Sequence, residues 1–168
     1  MKKIIVIISL VLVLISCSNN PTASDNQLKL IISPSELNMN NSDVETVSIN
    51  IEDAEDLFIV SMEIVFEDEI IGIDEFNFIE GDFWSGSTIS YSVLDTGRYS
   101  IFVGLQQTSE SDGISGNGIL FSFPIIAQNS GSTNIALENI SLLDEDGKSI
   151  DGFEDLEVEG LSISVDLD

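Results

Sequence analysis

Three groups of side chains in this sequence could do chemistry. The run Asp144-Glu145-Asp146-Gly147-Lys148-Ser149-Ile150-Asp151 sets carboxylates at alternate positions before a glycine, as half of a calcium loop does when it offers oxygen ligands. Asp144, Asp146 and Asp151 are its candidate ligands. The run lacks the further ligand spacing and the flanking helices of a helix-loop-helix calcium site, so an ordinary β-turn is the favoured reading. Trp84 follows Phe83 and precedes Ser85-Gly86-Ser87; with Tyr91 and Tyr99, and Phe102 as a further neighbour, it is the candidate aromatic surface for stacking on sugar rings. Against that stands the favoured alternative, in which Phe83 and Trp84 cap the end of a core. Cys17 is the single cysteine, and a lone thiol forms neither an internal disulfide nor a two-cysteine redox or zinc pair.

Much other chemistry is excluded by composition. There is no histidine, hence no Ser-His or Cys-His nucleophile pair, no imidazole proton shuttle and no imidazole metal ligand. Two carboxylates about 5–9.5 Å apart could hydrolyse a glycosidic bond. Among 30 acidic residues such a pair is unavoidable somewhere, and none stands out. Enzyme activity is therefore the least favoured class. A formal charge of −25, with only 5 Lys and Arg, opposes binding to nucleic acid and to anionic membrane surfaces, both of which need cations. At 168 residues the chain is long enough for one domain with a single core.

The N-terminus reads as a leader. Lys2-Lys3 precedes an apolar run from Ile4 to Ile15 broken only by Ser9, too short for a membrane-spanning helix of about 20 residues but suited to a signal peptide. Leu14-Ile15-Ser16-Cys17 resembles the bacterial lipobox, in which the cysteine is lipidated and becomes the first mature residue. This predicts a leader over 1–16, a lipidated Cys17 with a flexible polar tether over 17–27, and a folded domain over 28–168 at the cell envelope, outside the cytoplasm. Removing the leader takes two lysines and no acid, so the negative charge deepens by two.

From Leu28 onward the dominant pattern is period two, the mark of half-buried strands. Val47, Ile49 and Ile51 alternate with Ser48 and Asn50; Val60, Met62, Ile64 and Phe66 form a second run. Tyr99, Ile101 and Val103, then Ile119, Phe121, Phe123 and Ile125, then Leu161, Ile163, Val165 and Leu167, follow suit. Turn clusters separate the runs, among them Glu52 to Asp56, Gly113 to Gly118 and Asp146-Gly147. No segment carries a convincing helical stripe. About nine short strands in an all-β sandwich, jelly-roll or Ig-like, are expected.

Three blocks resemble the cohesin domain, a β-sandwich module best known for holding dockerin-bearing enzymes on bacterial scaffolds. The first is Val44 to Phe66, two strands joined through an acidic turn and followed by Glu67-Asp68-Glu69, where the family usually has Tyr-Asp-Pro. The second is Gly81-Asp82-Phe83. The third runs from Gly113-Ile114-Ser115-Gly116-Asn117-Gly118 into the strand Ile119 to Phe123, then to Gly131-Ser132-Thr133 and to Asp144-Glu145-Asp146-Gly147. Its glycines at 113, 116 and 118 allow positive φ and close chain approach. A phosphate-binding glycine loop would need a following helix and usually a lysine, and a strand follows here. The resemblance implies a cohesin-like sandwich and a dockerin-like protein partner, bound through one sheet face by strand-borne apolar residues rimmed with acids; calcium is the candidate cofactor that the Asp144 to Asp151 run and the acid excess suggest. A surface carbohydrate-binding module for polysaccharide capture is the alternative.

Overall fold

The computed structural model describes residues 27–166 apart from 75, 88, 98 and 109–111, and describes Tyr91 and residues 95–97 as backbone only. Cys17, the leader over 1–16 and the tether up to residue 26 lie outside the described residues.

Alternating apolar and polar side chains give strands in two stacked sheets. In chain order they are β1 (Lys29–Ser33), β2 (Glu36–Asn40), β3 (Val44–Leu57), β4 (Ile59–Val65), β5 (Ile71–Ile73), β6 (Ile79–Glu80), β7 (Ile89–Gly97), β8 (Ser100–Gln107), β9 (Ile114–Ala127), β10 (Gly131–Leu143), β11 (Glu157–Glu159) and β12 (Leu161–Asp166). The first sheet runs β11-β1-β3-β9-β5, with β6 also on β9; the second runs β2-β12-β10-β4-β8-β7. Only β1 with β11 and β2 with β12 pair in parallel; the other ladders are antiparallel. The sole helices among the described residues are single 3-10 turns at Asp82–Trp84 and Phe153–Asp155. The all-β sandwich is as expected. The described strands number twelve rather than about nine, because β5, β6 and β11 span three residues or fewer and leave no readable period.

The core lies between the sheets and takes up most of the apolar phase predicted for β3, β4, β8, β9 and β12, though Tyr99 of the β8 run is exposed. Val47, Ile49 and Ile51 from β3, Val60, Met62 and Ile64 from β4, and Ile101 and Val103 from β8 are all buried. Burying such a side chain contributes about 1.5–3 kcal/mol, which offsets the backbone ordering of each strand.

Three local expectations are corrected. The acidic segment Glu52 to Asp56 is not a turn between strands but part of one 14-residue strand, β3. Asp53 and Asp56 sit there at φ 54 and 53, the ladder register shifts around them, and Ala54 and Leu57 stay buried. Their N–H groups donate to side chains of β9 instead of its carbonyls: Asp53 to Asn117 Oδ1 at 2.7 Å and Asp56 to Ser115 Oγ at 3.0 Å. The chain passes from the first sheet to the second at Phe58, whose N–H already donates to Leu143 O of β10 at 2.8 Å. Likewise Gly116 and Gly118 lie within β9 and not in a loop before it. Ile119 is only half-buried, since a register shift at Ile49/Asn50 makes Leu120 the extra residue and turns it inward beside Phe121.

Candidate partner-binding face

Side chains pointing away from the core on β10, β4, β8 and β7 form rows set by strand register. Glu138, Glu63, Phe102 and Leu94 stand opposite one another across the four strands. The next row is Ser141, Ser61, Gly104 and Ser92, and the one beyond is Leu143, Ile59, Gln106 and Ser90. β10 stays in step through a bulge between Glu138 and Ser141, where Asn139 adopts φ 49.

The middle row is the low ground. A Cβ on Gly104 would sit 3.3 Å from Ser92 Oγ and 3.4 Å from Phe102 Cε1, so the phenyl ring leans over the glycine. Ser61, Gly104 and Ser92 thus floor a shallow groove between an apolar rim at Phe102 and another at Ile59. Leu94 is 59% exposed at the end of the Phe102 row.

Among the described residues the face is electrostatically one-sided. Glu63 and Glu138 are directly opposed, and like charges so placed repel. Glu63 is held by the Asn139 side-chain amide and, at 3.5 Å, by Ser100 Oγ. No lysine among the described residues reaches this face: Lys29 bonds Glu157 and Lys148 bonds Asp146, each at 2.9 Å. The hydrogen bond and charge of Glu157 raise the Lys29 pKa; Asp146 does the same for Lys148, which in turn lowers that of Asp146.

The residues singled out from the sequence fall elsewhere. Trp84 is wholly buried, its ring edge-on to Phe83 and its Nε1–H donating to Leu120 O at 2.9 Å. It offers no face to a sugar, so the stacking role assigned to it is corrected in favour of the core-capping one. Gly81-Asp82-Phe83-Trp84 instead clasps β9. Gly81 N–H donates to Leu120 O at 3.0 Å, and Asp82 Oδ1 accepts from Ile119 N–H at 2.8 Å. A Cβ on Gly81 would lie 1.8 Å from Ile119 O, and one on Gly118 3.0 Å from Phe83 Cα, so close approach is what these glycines supply. Tyr99 is 53% exposed in the turn before β8, and the Tyr91 side chain lies outside the described residues.

The three proposed calcium ligands do not converge. Asp144 Oδ1 accepts from Lys148 N–H at 2.8 Å, which closes the turn, and Asp146 pairs with the Lys148 ammonium. Asp151 lies beyond, beside Asp53 and Glu55 in an open cleft at one end of the sandwich. Among the described residues no three acidic side chains are grouped to hold a metal ion. The turn that competes with a calcium loop in the sequence is therefore the one that forms, because a lysine inside it consumes the carboxylates.

Glu63, Leu94 and Glu138 were not readable as a site. The available signal is Ile59 and Val65, apolar residues at the solvent phase of β4, where Ser61 and Glu63 mark the exposed side.

No family model and no curated protein matches the sequence. Solved structures do. A non-cellulosomal cohesin from the archaeon Archaeoglobus fulgidus is 19% identical, with a TM-score of 0.65 over 83% of this chain and 91% of that one. The third ScaC cohesin of Acetivibrio cellulolyticus, solved with the ScaB dockerin, is 11% identical with a TM-score of 0.66 over 83% and 99%. The Coh-OlpC cohesin of Clostridium thermocellum, solved with Doc435, is 10% identical with a TM-score of 0.66 over 85% and 96%. The chain has a cohesin-like fold.

Proposed function

We propose that this cohesin-like sandwich is a non-catalytic attachment module that holds a dockerin-type protein on the outer face of β10, β4, β8 and β7. One observation carries the reading: that face joins an exposed Leu94 and the half-buried Phe102 and Ile59 to an opposed pair of acids with no lysine among the described residues beside them. A complementary partner brings apolar side chains to the groove and Lys or Arg to Glu63 and Glu138. The dockerin complexes among the similar solved structures support a partner of this kind. The outer face of the first sheet is a weaker candidate, since its polar groups satisfy one another, Ser48 with Ser122 at 2.8 Å and Asn50 with Ser33 at 2.9 Å. Polysaccharide capture loses its main residue with the burial of Trp84. In this reading Cys17 is lipidated and the tether holds the sandwich outside the cytoplasm.

The test is retention of purified, calcium-loaded dockerins by the immobilised full-length protein. Retention that chelator abolishes and Phe102→Ala weakens supports the assignment. No retention with or without calcium, or retention indifferent to Phe102→Ala, overturns it.

A further inference from the structure

Each sheet ends in two edges, and three of the four are guarded against an incoming chain. β11 carries Glu157 and Glu159, β2 carries an exposed Glu36 beside asparagines, and β5 and β6 are three and two residues long. Charge and brevity are the features that deny a foreign strand a place to pair. β7 has neither. It is nine residues long, ISYSVLDTG, without Lys, Arg or Pro and with one acid, and among the described residues nothing pairs with its outer side.

A second observation lies next to that edge. Between the sheets, Phe78, Ile79, Ile89, Val93 and Phe121 line an apolar slot whose one acid is Glu80. Ile79 stands 63% exposed at the slot. A strand added to β7 would point every second side chain toward this slot and the others toward the outer face, by the alternation of the pleat.

We propose that β7 accepts an extended segment of a partner protein as an added antiparallel strand. The segment's chemistry follows from the surroundings: apolar residues to cover the mouth of the slot, which is only about 10 Å³, no acids, and a lysine or arginine to meet Glu80. A second copy of this chain is the poorer occupant, because two bodies of charge −25 repel. The inference does not rest on dockerin binding, although the added strand would lie beside Leu94 of the proposed partner-binding face.

The experiment uses the full-length protein, ¹⁵N-labelled, and an acetylated, amidated octapeptide alternating valine and threonine with a lysine at each end; the same composition with a central proline is the control. Amide exchange in Ser90 to Leu94 is expected to slow about tenfold or more with the first peptide and not with the second, as unpaired N–H groups gain partners. Ile79→Lys, at a position already exposed, places a charge at the slot and is expected to weaken the peptide about tenfold while the fold survives. The proposal is overturned if β7 amides do not slow at saturating peptide, if β2 and β11 slow equally, if Ile79→Lys binds unchanged, or if β7 becomes protected by protein concentration alone, which would make a second copy the occupant.

Discussion

Trp84 Nε1–H donates to the carbonyl oxygen of Leu120 at 2.9 Å from inside the sandwich, with no part of the indole open to solvent. That one contact converts the most conspicuous aromatic residue from a ligand platform into the pin that holds the Gly81-Asp82-Phe83-Trp84 clasp on β9. Its removal is expected to act on stability. Trp84→Ala should cost about 3–5 kcal/mol in urea unfolding. Trp84→Phe should cost less, since Leu120 O keeps the N–H of Gly81 as a donor.

The clasp predicts an asymmetry among glycines. Gly81→Ala forces a Cβ into the Ile119 carbonyl and should cost more than about 3 kcal/mol, or prevent folding. Gly147→Ala, at φ 78 in open space, should cost about 1 kcal/mol, the ordinary penalty of a left-handed backbone. Thermal unfolding of the two variants side by side checks the difference.

On the outer face the expectation reverses, with binding lost and fold kept. Leu94→Ser and Phe102→Ala should each weaken a dockerin-type partner by about 30-fold, as for buried interface anchors, in calorimetric titration. Glu138→Gln should slow association and flatten its salt dependence, while relieving the opposition to Glu63 by a few tenths of a kcal/mol.

Alkaline pH should loosen β11. The Lys29 pKa is raised in the folded state by Glu157, its register partner across the parallel β1–β11 pair. Stability from this pair is therefore fully present below the ordinary lysine value of 10.5 and lost as pH rises through the higher folded value. The melting temperature of the protein should exceed that of Lys29→Met below pH 10.5, and the gap should close above it.

Lipidation is tested at Cys17. The full-length protein expressed in bacteria should take up labelled palmitate and sediment with membranes, and Cys17→Ser should do neither.

Fold class was legible because burial on one face leaves a period of two that needs no partner to be seen. Met62, Ile64, Phe121, Ile163 and Val165 all occupy the predicted interior. The same pattern failed at Ile119 and at Glu52 to Asp56, where bulges change the phase: a bulge is a relation between two strands, and at Asp53 and Asp56 it is met by Asn117 and Ser115 of β9. The candidate face failed for a similar reason. Glu63, Phe102 and Leu94 are far apart in sequence and meet only through register.

The sequence by itself determined an acidic, histidine-free β-sandwich whose glycines at 113, 116 and 118 anticipate positive φ and close chain approach. Composition and alternation are local properties, and each residue carries them alone. Only the tertiary structure decided that Trp84 faces inward, that Lys148 pairs with Asp146, and that β7 is left as the longest sheet edge. Those outcomes depend on which strand lies beside which, and hydrogen-bonded register between distant segments is what sets it.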